Sequence, residues 1–254
     1  MRRFILAFPV LAVALLSVPV VKGFFDELEE LKQELVVWQT THAADLSDLM
    51  NTLDDLSGPS FNDVAETDWF YSYVASVSDW GVVSGYRDAK GELIGQFGPA
   101  NAVTIAEMIK MALEAAQINE EECGMSPPLL PQAIGHWAAG YIACAEQMDL
   151  RILQDPSVNL NSQAERAEVV AILHDAFDDA VPPLYSNFKD TQGHRLEADI
   201  AFAYAQGIVN GDKDNRGIEL GTFRPDAAIN RAETAKVIYE RLKADVKDEV
   251  AASL

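Results

Sequence analysis

Arg166 and Arg231 are the residues whose setting most plainly offers chemistry. Each opens the tripeptide Arg-Ala-Glu, at 166–168 and 231–233, and each begins a run with helical spacing. The first turn of a helix carries unpaired backbone amides and the positive end of the helix dipole, so it favours an anion; a guanidinium adds a planar, bidentate donor. The chemistry on offer is recognition of a negatively charged group. Nothing comparable supports turnover. His42, His136, His174 and His194 share no metal-ligand spacing, and none neighbours a Ser or Cys in a nucleophile motif. Asp212-Lys213-Asp214-Asn215-Arg216-Gly217 resembles half of a calcium loop, but Arg216 occupies a ligand position and Phe223 stands where the bidentate Glu is needed. With 40 Asp and Glu in the chain, paired carboxylates single out no acid–base site. No catalytic residue, metal or cofactor is expected.

The elements that must hold these arginines recur. Gly81-Val82-Val83-Ser84-Gly85, Phe97-Gly98-Pro99 and Thr104-Ile105-Ala106-Glu107 return as Gly207-Ile208-Val209-Asn210-Gly211, Phe223-Arg224-Pro225 and Asn230-Arg231-Ala232-Glu233. A degraded copy lies between them. There Asp149-Leu150-Arg151-Ile152-Leu153 replaces the glycine pentad, Val158-Asn159-Leu160 replaces the turn, and Glu165-Arg166-Ala167-Glu168 keeps the helix start. Glu107, Glu168 and Glu233 stand 61 and 65 residues apart, the mark of an internal repeat. Thr104-x-x-Glu107 and Asn230-x-x-Glu233 are capping boxes, in which side chains satisfy amides that the helix start leaves unpaired. Behind them run Met108, Ile109, Met111 and Ala112, then Val237, Ile238 and Leu242, at helical spacing, while Pro99 and Pro225 hold the preceding chain out of helix. A first helix is predicted in each copy over Trp69 to Trp80, Trp137 to Met148 and Leu196 to Gln206, ending at or near glycine. One helix pair of this size cannot cover its own apolar face, so the three copies are expected to share a core. The expected fold is all-α: a pseudo-threefold bundle of three helix-loop-helix modules.

This order of elements resembles the S-layer homology family, whose modules come in threes and carry a Phe-x-Asp-Val start, a Trp, a Gly-rich middle, a Phe-x-Pro turn and a Thr-Arg-Ala-Glu signature. Phe61-Asn62-Asp63-Val64 and Phe188-Lys189-Asp190-Thr191 supply the starts. The resemblance covers modules at 61–117, 123–178 (degenerate) and 184–243. It implies a non-catalytic protein that binds an anionic cell-wall polysaccharide in grooves between modules. Arg166 and Arg231 would meet the charge, Trp69 and Trp137 would offer faces to sugar rings, Asp63 and Asp190 would bond hydroxyls, and Gly85 and Gly211 would complete the set. Two departures limit this. Ile105 stands where the first copy should carry arginine, and Arg195 aligns with the two tryptophans, so at most two of three grooves look competent. The alternative for these residues is structural, with the tryptophans in the core and the arginines in surface ion pairs.

The flanks are of another kind. Met1-Arg2-Arg3 followed by the uncharged stretch Phe4 to Val21 has the form of a secretory signal. Residues 1–23 are expected to be cleaved or retained as a membrane anchor, and either outcome exports the rest. Between residues 24 and 57, Leu28, Leu31, Leu35, Trp38, His42, Leu46, Leu49, Leu53 and Leu56 step by three or four. Such a helix either lies on the bundle or self-associates as a coiled coil, giving a homo-oligomer whose weak wall contacts are multiplied. Ser57-Gly58-Pro59-Ser60 breaks it, and 244–254 is an acidic tail. Cys123 and Cys144 are expected to pair in an exported protein, against the alternative of two buried thiols. A net charge of −21 argues against nucleic acid, which demands clustered Lys and Arg. The chain thus reads as an exported protein of the cell wall or cell surface, or of the periplasm in a double-membrane envelope, that anchors itself or a partner. The alternative is a structural protein whose modules have lost their ligand and serve as a spacer or oligomerisation unit.

Overall fold

The computed structural model describes residues 61–253 apart from 122 and 124–126. The expected export signal (1–23), amphipathic helix (24–57) and linker lie outside the described residues. Six α-helices follow one another: α1 (Tyr71–Asp79), α2 (Ile105–Ala115), α3 (Ala139–Gln147), α4 (Arg166–Ala176), α5 (Glu197–Ala205) and α6 (Arg231–Ser253). Among the described residues, β pairing is confined to isolated bridges. No described helix is long and apolar enough to cross a membrane.

The local signals work where they were read. Thr104 Oγ1 accepts from Glu107 N at 3.2 Å while Thr104 N donates to Glu107 Oε2 at 2.8 Å, so α2 starts inside a complete capping box. Asn230 and Glu233 do the same for α6. In the degraded copy Glu165 serves as the cap with Glu168, a box built without Ser, Thr or Asn. The first helices close with the amides of Val82 and Ile208 reaching back five residues to Val77 O and Ala203 O, and Leu150 reaches Ala145 O in the same way. Asp149 there adopts the left-handed backbone (φ 59°) that Gly81 and Gly207 adopt in the other copies. Residues 244–253 continue α6 rather than leaving it.

Helices of one copy do not pair chiefly with each other. Instead α1 packs on α6, α3 on α2 and α5 on α4, while α2, α4 and α6 meet at the centre. The central helices are accordingly apolar over most of their surface: Ile105, Ala106, Met108, Ile109, Met111, Ala112, Leu113 and Ala115 are all buried in α2. Just before them, three backbone bonds run round a closed circuit, Val103 N to Ile229 O (3.1 Å), Ile229 N to Ala164 O (3.2 Å) and Ala164 N to Val103 O (2.8 Å). These residues sit in extended chain, where no helical partner exists, and being buried they must be satisfied by a neighbouring segment. A disulfide joins Cys123 to Cys144 on α3, with Cα atoms 5.2 Å apart.

Candidate functional site

The Phe-x-Pro turns form the floor of the candidate site, and the copy's own start holds each turn in shape. The ring of Phe61 lies 5.3 Å from Phe97 and that of Phe188 5.6 Å from Phe223. Asp63 accepts from Phe97 N (2.8 Å) and Gly98 N (2.7 Å), one amide to each carboxylate oxygen. Asp190 accepts from Phe223 N (2.9 Å) and Arg224 N (2.8 Å). Both aspartates therefore brace a turn. The glycines admit the same rings: a Cβ on Gly85 (φ 71°) would stand 2.6 Å from Phe61 Cε1, and one on Gly211 2.5 Å from Phe188 Cε1.

Each arginine reaches across into another copy's turn. Arg231 Nε donates to Phe97 O at 2.7 Å, and its guanidinium lies 4.8 Å from the ring centres of both Tyr86 and Phe97, with Glu107 Oε1 3.8 Å from Nη1. It is only 7% exposed. Arg166 repeats the arrangement, with Nε to Phe223 O at 2.8 Å, the Phe223 ring centre at 4.9 Å and Glu233 Oε1 at 3.7 Å. Burial pulls the Arg166 guanidinium below the ordinary arginine value. The amides beside them are spent: Arg231 N bonds Asn101 O (2.9 Å) and Ala232 N bonds Pro99 O (3.1 Å), while Arg166 N and Ala167 N bond Ala227 O and Pro225 O. An anion at these helix starts would thus meet the guanidinium edge and the dipole, not unpaired amides.

The third seam keeps the backbone and changes the side chains. Ile105 N and Ala106 N bond Ser162 O and Leu160 O, as in the other two seams. Ile105 itself is buried, and Val158 O, which matches Phe97 O and Phe223 O, accepts from the amide of Gln132.

Trp69 and Trp137 stand two residues ahead of α1 and α3, each 58% exposed. Trp69 is edge-on to Phe70 and Tyr73. At the matching place ahead of α5, Arg195 donates to Glu168 at 2.7 Å. The structure thus gathers Asp63, Gly85, Phe97 and Arg231 at one seam and Asp190, Gly211, Phe223 and Arg166 at another. The ring contacts of Trp69 and Trp137 are with Phe70, Tyr73 and His136, not with these arginines.

Nothing in the sequence marked out Tyr86, while Arg224 stood out only as the middle of a turn and Asp212 only within the half calcium loop. Arg224 is the middle residue of the third copy's turn, has φ 58°, and grips Asp212 through Nε (3.0 Å) and Nη2 (2.8 Å). That grip holds the Asp212 carboxyl below the usual carboxylate range. The visible clue was Arg224 standing where the first copy has Gly98. In the half calcium loop, Asp214 accepts from Arg216 N and Ile218 N and so shapes a tight hairpin. Among the described residues no group of three or more His, Cys, Asp or Glu could hold a metal ion.

The model of the S-layer homology domain matches residues 60–109 and 187–235. The degraded copy lies between the two matches. The chain carries S-layer homology domains in these segments, and it is a protein of the cell wall or cell surface. The cellulosome-anchoring protein of Acetivibrio thermocellus is 25% identical over 162 residues, 61% of this chain and 35% of the relative, so the chain spans about a third of that relative's length.

Proposed function

We propose that this chain is a non-catalytic anchor in which three S-layer homology modules, the second degenerate, close about a pseudo-threefold axis and bind a cell-wall polysaccharide. The anchored cargo is the chain itself or a partner. Closure is supported by the circuit of Val103, Ile229 and Ala164 and by the cyclic packing of first helices on second helices of another copy. Anchoring is in keeping with the name of the Acetivibrio thermocellus relative. The observation that carries binding is the exposure of Trp69 and Trp137. A large aromatic left 58% exposed at equivalent places in two copies is not a core residue, and an indole face is a fitting platform for a sugar ring.

The test is sedimentation of the protein with cell-wall sacculi, intact or stripped of their secondary polymer. Wild type should pellet with intact sacculi only, and the double variant Trp69→Ala/Trp137→Ala should stay largely in the supernatant while melting near the wild-type temperature. Full pelleting of the double variant would remove the sugar platform. One observation favours the rival reading of a ligand-free spacer: Arg231 is packed between two rings and Ile105 is buried at the third seam, as joints would be. That reading requires the wild-type chain to ignore sacculi altogether.

A further inference from the structure

The second copy lacks an element that the other two share. In the first and third copies eleven residues, 86–96 and 212–222, separate the glycine pentad from the Phe-x-Pro turn and fold back on themselves as a hairpin. The base of each hairpin bonds the copy's own start, Asn62 N to Gly95 O and Lys189 N to Gly221 O, both at 2.9 Å. In the second copy only four residues, 154–157, span that interval, and a 3₁₀ turn over Arg151–Gln154 stands in place of the hairpin. Leu130 holds the position of Phe61, since Ala133 N bonds Leu130 O as Val64 N bonds Phe61 O. The position that matches Asn62 and Lys189 is then Pro131, which has no N–H to donate. The hairpin and the amide that would bond it have gone together.

At this place lies a cavity of about 280 Å³, formed by Leu129, Leu130 and Pro131 from the start and by Leu150, Leu153 and Pro156 from the shortened loop. Leu130, Leu150 and Leu153 are buried, whereas Leu129 is 84% exposed. The backbone that carries Leu129 is fixed by Glu146 on α3, whose carboxylate accepts from Leu129 N (2.6 Å) and Leu130 N (2.8 Å). Ser78 and Tyr204 stand at the place of Glu146 in α1 and α5, so the clamp belongs to the second copy alone. The disulfide ties the chain ahead of this segment to the same helix, and Pro127, Pro128 and Pro131 restrict its dihedrals. A bare leucine on a backbone held in this way has little freedom left to lose on binding.

We infer that this cavity is a docking site for another protein, and that it takes an apolar side chain flanked by lysine or arginine. The volume lies just below the usual range of small-molecule pockets and suits one or two side chains. Leucine and proline make its apolar walls, with no aromatic face on which a sugar ring could stack. Charge selects the flanking residues. Glu146 and Asp149 also line the cavity, and Asp149 is exposed and enters no ion pair among the described residues. A chain of net charge −21 repels a second copy of itself and attracts a cationic segment. The site uses none of the residues assigned to wall binding, so the two readings stand or fall separately.

Three fluorescein-labelled peptides, Lys-Lys-Leu-Leu-Lys-Lys, Lys-Lys-Ser-Ser-Lys-Lys and Glu-Glu-Leu-Leu-Glu-Glu, test this by fluorescence anisotropy with the oxidised full chain. The first should bind at least about tenfold tighter than either of the others, since only it offers both the apolar anchor and the charge. Leu129→Asp is the informative variant, because an exposed side chain can change without disturbing the core and the added negative charge would strengthen any merely electrostatic attraction. It should melt like wild type and bind the leucine–lysine peptide no better than its serine analogue. Asp149 has φ 59°, a conformation that asparagine accepts, so Asp149→Asn removes the charge alone and should weaken the leucine–lysine peptide about threefold. No binding of that peptide, equal binding of the serine analogue, or undiminished binding by Leu129→Asp would overturn the assignment. Preference for the glutamate peptide, or an Asp149→Asn variant equal to wild type, would overturn the cationic partner. Self-association of wild type that Leu129→Asp abolishes would give the cavity to a second copy instead.

Discussion

Arg231 shows how far one residue's part depends on what surrounds it. Read at a helix start, its side chain is free to serve a ligand, since Asn230 and Glu233 complete the cap without it. In the fold it stacks on Tyr86 and Phe97 and satisfies the Phe97 carbonyl. Arg231→Ala would leave that carbonyl unpaired and remove the stacked cation, at a cost on the order of 2–4 kcal/mol. Urea unfolding should therefore show a lower midpoint for Arg231→Ala, and a midpoint equal to wild type would contradict its part as a joint. The glutamine and isoleucine at the third seam make the same point in reverse: Gln132 takes the carbonyl that an arginine would need, and Ile105 fills the space with apolar surface.

Between elements, the join of α4 to α5 carries a buried cluster of charged groups. Asp199 on α5 is buried, yet it accepts from Arg151 Nη2 (2.6 Å) and Nη1 (3.2 Å) and lies 3.3 Å from His174 Nδ1 on α4. Arg151 Nε also holds Asp175 at 2.7 Å. Burial alone would raise the Asp199 carboxyl, but the bonds from His174 and Arg151 outweigh it and hold the group below the usual carboxylate range. A lowered folded-state value means that the ionised form stabilises the fold. This contribution is complete above roughly pH 4 and is lost as pH falls through the lowered folded value. Thermal melts in acid should show wild type losing stability in that window. Asp199→Asn should be less stable at neutral pH, because Arg151 and His174 lose the ionised acceptor and one of its two oxygens becomes a donor, and should lose less on acidification. An acid dependence identical to wild type would discount this link.

At the scale of the whole molecule two further features carry predictions. The Cys123–Cys144 disulfide closes a loop of 21 residues, which the chain-entropy account values at about 3 kcal/mol. Cys144→Ser should melt lower than the oxidised wild type by that order, and reduction should bring wild type down toward the variant. Equal melting of oxidised and reduced protein would remove the staple from the account. The other feature is the segment 24–57. If it associates as a coiled coil, deleting it should leave the affinity of the modules unchanged but weaken apparent wall retention by about 10²-fold or more, since only effective concentration is lost. Light scattering of the full chain should then show an oligomer that strengthens as salt screens its acidic positions, and a monomer at every salt concentration would sink the coiled-coil reading in favour of the alternative in which the segment lies on its own bundle.

The sequence by itself determined what depends on a few neighbouring residues. Capping boxes, the prolines before them and the glycines after the first helices act within about five positions, so the starts of α2, α4 and α6 and the ends of the helices before them could be read directly. Even the degraded copy kept its helix start, because Glu165 and Glu168 need only each other. Tertiary structure decided what depends on distant partners. Asp63 meets amides 34 and 35 positions away, Arg166 a carbonyl 57 away, and Arg231 a carbonyl 134 away. No local pattern reports such meetings. That is why Asp63 and Asp190 proved to brace turns, why the amides at the helix starts were found already bonded, and why each first helix packs on a second helix from another copy. The exposure of Trp69 and Trp137 was not legible either, because a residue just ahead of a helix has no face assigned by periodicity.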